Sequence, residues 1–119
     1  MPLYIVEKAL GDVILLDLRG RITLGPETVL LRERVKRLAD AGHARIVLNL
    51  ELVDYIDSVG LGTLIASYTS VRKRGGDLKL LHLTRRVRDL LQITRLITVF
   101  ETFEDLEAAR RSFDRTPPP

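Results

Sequence analysis

The sequence predicts an α/β fold: a single domain with a mixed β-sheet of four to five strands and about four helices packed on it. Three observations lead there. Two short extended segments flank a Gly11-Asp12 turn, a nearly continuous apolar run (Arg45 to Leu52, RIVLNLEL) follows a helical stretch, and strands then alternate with helices. A hairpin followed by such alternation implies one antiparallel pair joined to parallel strands by right-handed crossovers. A length of 119 residues suits one domain with a modest core. No internal repeat or long linker divides the chain. Residues 1–115 read as the domain, and Thr116 with three prolines (116–119) as a disordered tail.

Each element follows from local chemistry. Leu3 to Lys8 and Val13 to Leu18 are extended segments that form a hairpin, the second ending at Gly20. Thr23 to Pro26 starts a helix, with the proline suited to its first position. Leu31, Val35 and Leu38 follow at helical spacing until Gly42 stops the helix. The run RIVLNLEL is rich in β-branched and apolar residues and predicts a buried strand covered on both faces. A helix after Ser58 carries Leu61, Leu64, Ile65, Tyr68 and Val71 on one stripe and stops near Gly75-Gly76. Leu78 to Leu83 is the next strand. Val87, Leu90 and Leu91 mark a third helix, Ile97 to Phe100 a short last strand, and Phe103 to Phe113 a final helix.

Composition narrows the function. The chain has no cysteine, which excludes disulfides, cysteine–zinc sites and thiol catalysis and fits a cytoplasmic location. Met1-Pro2-Leu3-Tyr4 does not resemble a signal sequence, and no apolar run approaches the ~18 residues that would span a bilayer, so no membrane partner is expected. The net charge is +3, but the arginines are scattered over helix faces opposite leucine and valine, as on a solvated surface. Three Phe, three Tyr and no Trp offer little for stacking bases, so direct nucleic-acid binding is not expected either.

The stretch Asp57-Ser58-Val59-Gly60-Leu61-Gly62 raises the sharpest question, because each glycine inside a helix costs about 1 kcal/mol relative to alanine. The plainest reading is a helix cap with small residues tucked against a neighbouring strand. Either Asp57 or Ser58 can be the cap. A phosphate loop lacks the Gly-x-x-x-x-Gly-Lys-Ser/Thr pattern, and only two of three dinucleotide glycines are present. A serine hydrolase would need Gly-x-Ser-x-Gly and a base. His43 follows a helix-ending glycine and His82 lies in a strand, so both read as structural or solvent-facing. A metal site built from Glu51, Asp54 and Asp57 lacks histidine support; these acids read more simply as turn and cap residues. The remaining reading is a phosphorylatable serine on a docking surface, where glycines let another protein's backbone approach the helix start.

LNLELVDYIDSVGLGTLIASYTSVRKRGGDLKLLHL, residues 48–83, resembles the core of the STAS domain, and more closely the free-standing bacterial anti-sigma factor antagonists. The matching pattern is an apolar strand, Asp-Ser-small-Gly-Leu-Gly, a helix, an Arg-x-Arg/Lys-Gly-Gly stretch and another apolar strand. GRITL before it and VRDLLQITRLITVFETFEDLEAA after it extend the resemblance over almost the whole chain. The resemblance implies a STAS-like domain with no enzymatic activity or cofactor of its own. Its partners would be an anti-sigma factor with serine kinase activity, which phosphorylates the serine matched by Ser58, and a phosphatase acting on phosphoserine. The unphosphorylated form would bind the anti-sigma factor and release a sigma factor. Asp57, Ser58, Val59, Gly60, Leu61, Gly62 and Thr23 are the implied partner-binding residues. Thr23 stands where many relatives carry Asp, and Arg95 where the family often has a glycine that suits a left-handed helix end. The alternative is a STAS interaction module in a stress-sensing or lipid-transport assembly, without phosphoserine switching. A nucleotide-binding protein or enzyme has no base, metal cluster or phosphate loop to support it.

Overall fold

The computed structural model describes residues 2–114 and holds one five-stranded mixed sheet with strands in chain order, β1-β2-β3-β4-β5. The strands are β1 (Tyr4–Leu10), β2 (Val13–Ile22), β3 (Arg45–Ile56), β4 (Asp77–Leu81) and β5 (Thr102–Phe103). The helices are α1 (Pro26–Asp40), α2 (Ser58–Lys73), α3 (Arg85–Ile93) and α4 (Leu106–Ser112). β1 and β2 form the antiparallel hairpin, turning at Gly11 with φ 65°, and every later pairing is parallel. Each crossover steps to the next strand in one direction, so crossovers of one hand put α1, α2 and α3 on the same face of the sheet.

That face holds the main core. Ile14, Leu16, Leu18 and Ile22 of β2 and Ile46, Leu48 and Leu50 of β3 meet Leu31 and Val35 of α1, Leu64 and Val71 of α2, and Val87 and Leu91 of α3. The opposite face carries a smaller cluster in which Ala109 and Phe113 cover Val13, Leu15, Val47 and Leu81. Lys79 is buried beneath α4, 3 % exposed. Its Nζ donates to Ser112 Oγ at 2.6 Å, pairs with Glu101 at 3.3 Å and lies 4.3 Å from the centre of the Phe113 ring. Ser112 Oγ in turn donates to the Ala109 carbonyl, which completes a hydrogen-bonded site for the buried cation.

The sequence expectations hold for the hairpin, for Pro26 opening α1, and for Gly42 ending it with φ 92°. Others are corrected. Gly20 does not end β2; the strand runs on to Ile22, with Gly20 at φ 110° and the Pro2 carbonyl oxygen 2.1 Å from where a Cβ would stand. β3 is covered on both faces only in its first part, and it continues past Leu52 to Ile56. Ile65 lies on the exposed side of α2 rather than in the buried stripe. Ile97 to Phe100 is not a strand: a short 3₁₀ turn, Leu96–Thr98, brings Phe100 into the core edge-on to Tyr68, ring centres 5.2 Å apart. The last strand is β5, and α4 begins only at Leu106, capped by Asp105. Arg95 takes the left-handed conformation, φ 62°, where α3 gives way to the 3₁₀ turn, so the chain stops as it would with glycine. The tail at 116–119 lies outside the described residues.

Candidate functional site

The stretch singled out by the sequence lies where β3 ends and α2 begins, at the C-terminal end of the parallel strands. This is where open α/β sheets place their binding loops. Asp57, in extended conformation, is the N-cap: one carboxylate oxygen accepts from Gly60 N at 2.8 Å. The two options left open by the sequence are thereby separated, with Asp57 as cap and Ser58 as the first helical residue. The other Asp57 oxygen accepts from Leu24 N at 2.9 Å, thirty-three positions away in the chain. Asp57 N also donates to the Ile22 carbonyl, at 3.3 Å. One residue thus fastens the β2–α1 loop, which contains Thr23, to the start of α2. The Leu24 and Gly60 amides hold the Asp57 carboxyl below its ordinary value, since they bond its charged form.

Ser58 is exposed, and no hydrogen bond within the described residues ties its hydroxyl. Val59 beside it is 40 % exposed, and Leu24 on the facing loop is 76 % exposed, so apolar surface flanks the serine on both sides. Thr23 is half-buried. Gly60 and Leu61 point inward: a Cβ on Gly60 would meet the Ile22 carbonyl oxygen at 1.9 Å, and Leu61 belongs to the main core. Gly62 is exposed, and a Cβ there would meet nothing within 4 Å. The fold therefore brings Thr23, Asp57, Ser58, Val59 and Gly62 to one surface and turns Gly60 and Leu61 beneath it.

The competing chemistries find little here. His43 is exposed after α1, and His82, at φ 55°, follows β4 rather than lying in it; neither bonds Ser58. Glu51 and Asp54 are exposed residues within β3, not turn or cap residues. Among the described residues no group of three or more His, Cys, Asp or Glu is placed to hold a metal ion, and no helix is long and apolar enough to cross a membrane. Sequence reasoning missed Leu24. Its tie to Asp57 is a contact between distant segments, and its only local signal is a bulky apolar residue just before Gly25-Pro26.

A family model described as the STAS domain matches residues 4–109. The anti-sigma-B factor antagonist of Bacillus subtilis (strain 168) is 39% identical over 71 residues, covering 60% of this chain and 64% of that protein. The match thus spans less than two thirds of that relative's length. A crystal structure of a Thermotoga maritima protein, described as a candidate anti-sigma factor antagonist, has a TM-score of 0.86 at 23% identity, over 93% of this chain and 95% of that one. The Bacillus cell-fate determinant SpoIIAA in its phosphorylated form has a TM-score of 0.72 at 18% identity, over 92% of this chain and 99% of that one. These structural likenesses establish a shared fold.

Proposed function

The chain belongs to the STAS domain family, and from that premise we propose that it is an anti-sigma factor antagonist switched by phosphorylation at Ser58. Unphosphorylated, it binds an anti-sigma factor that is also a serine kinase, and so releases a sigma factor. Phosphorylated, it lets go, and a phosphoserine phosphatase restores it. The observation that carries this reading is the exposed Ser58 on a helix start that Asp57 fixes in place. The name of the Bacillus subtilis relative supports the antagonist part of this reading.

The switch has a physical basis. A phosphate adds about −1.5 to −2 charges. On the first residue of α2 it lies near the positive end of the helix dipole, beside the Gly60 amide that Asp57 caps. That gain, offset in part by Asp57, leaves the free domain folded. The effect falls on docking, because burying an unpaired dianion costs several kcal/mol. A cost of about 3 kcal/mol weakens binding more than a hundredfold, since each 1.4 kcal/mol is tenfold.

The test is incubation with an anti-sigma kinase of the same organism and ATP, followed by mass spectrometry and a binding assay. Wild type gains one phosphate on Ser58 and loses affinity, Ser58→Ala gains none and stays bound, and Ser58→Asp binds poorly. Modification that persists in Ser58→Ala, or none in wild type, removes the proposal.

A further inference from the structure

The helices on the main face of the sheet do not meet solvent alike. Charge recurs at the exposed positions of α1 (Arg32, Lys36, Asp40) and of α3 (Arg85, Asp89), as expected of a helix that faces water. α2 has no charged residue between Asp57 and Arg72. Its exposed positions before Arg72 are Ser58, Val59, Gly62, Ile65 and Thr69. At about 100° per residue they fall on one stripe, ~16 Å long. Leu24, 76 % exposed, stands beside its first turn, on a loop that carries no charge between Arg21 and Glu27. The one charge at this end is Asp57, and both its carboxylate oxygens accept backbone amides.

We propose that the outer face of α2, from Ser58 to Thr69 with Leu24 beside it, docks the kinase through an uncharged, apolar surface on that partner. The inference rests on the reading of Ser58 given above and adds the chemistry of the partner. Continuity selects the occupant: the stripe begins at Ser58, so a protein that covers the serine lies over Val59 and Gly62 and runs on to Ile65. A second copy seated there would cover Ser58 and shut the kinase out. Depletion of charge is what marks the core of an interface. The loop that carries Leu24 is already fastened to Asp57, so little ordering remains to oppose binding. Association then comes from burying apolar surface and depends little on salt. The stripe also holds no cation to pair a phosphate on Ser58, so from this side the dianion enters the interface uncompensated.

The test uses the full chain, an anti-sigma kinase of the same organism and ATP. Affinity for wild type changes less than about threefold between ~0.05 and ~0.5 M sodium chloride, where a surface held by ion pairs loses far more. Ile65→Asp keeps the wild-type circular dichroism, since the position is exposed. It weakens binding about a hundredfold, because it puts an unpaired charge into the interface. It raises KM for phosphorylation of Ser58 and leaves kcat unchanged, being about two turns of helix from the reacting hydroxyl. Leu24→Ala weakens binding about tenfold. Gln92→Asp, at an exposed position of α3, changes neither binding nor phosphorylation. Phosphorylation of wild type with binding indifferent to Ile65→Asp overturns this inference alone, and so does a steep loss of affinity with salt. A dimer of the free chain that Ile65→Asp dissolves assigns the face to a second copy and overturns it too. A wild type that takes no phosphate removes the reading of Ser58 and this inference with it.

Discussion

Gly60 and Gly62 stand two positions apart at the start of α2 and answer opposite demands. On the side of Gly60 the helix lies so close to β2 that a Cβ would fall 1.9 Å from the Ile22 carbonyl oxygen. On the side of Gly62 there is open space. The inner glycine is imposed by packing, and no other residue fits. The outer glycine costs helix stability that nothing within the domain returns. The difference teaches that the helix start is clamped on one side and left bare on the other. In the reading proposed above, that bare surface beside Ser58 is what the docking partner would meet.

Four substitutions can break or sharpen that comparison. Gly60→Ala has the largest expected effect: α2 must shift away from β2, at a cost of about 3 kcal/mol by the measure of overpacked cores, read as a lower urea midpoint. Unchanged stability would mean that the two sides are equivalent. Asp57→Asn comes next, because it weakens both ties of the clamp. The folded domain holds the Asp57 carboxyl below its ordinary value, so its stabilisation is full above the unfolded value and lost as pH falls through the folded one. Thermal unfolding of wild type and variant should therefore differ most near neutral pH and converge in strong acid. Gly62→Ala should raise stability by about 0.5–1 kcal/mol while slowing phosphorylation of Ser58, a split that a merely structural glycine would not produce. Arg95→Gly is the smallest. Here a side chain occupies a left-handed position that glycine adopts freely, so relief of strain, less the added freedom of the unfolded chain, should stabilise by about 0.5 kcal/mol.

Much of this was legible in the sequence, for identifiable reasons. The hairpin, α1 and α2 announce themselves through turn glycines, Pro26 and apolar spacing. The Asp-Ser pair marked the start of α2 because capping is local chemistry. What escaped depends on distant segments meeting. Nothing near Asp57 reveals that its second oxygen ties Leu24, and nothing near Gly60 reveals the Ile22 carbonyl. Ile97 to Phe100 has the β-branched, apolar character of a strand, yet Tyr68 receives Phe100 from a turn. Nothing near Lys79 in the chain reveals that α4 closes over it.

The length of β3 has a mechanical consequence. β4 accompanies it only from Arg45 to Asn49, whereas β2 stays paired with it to Ile56. The final stretch is thus a two-stranded arm projecting past the neighbouring strand, with Ser58 at its tip. The Ser58 side is exposed there, so its hydroxyl is reached from outside the domain. In the reading proposed above, the kinase would bring the concavity, and the arm would be the plug that fills it.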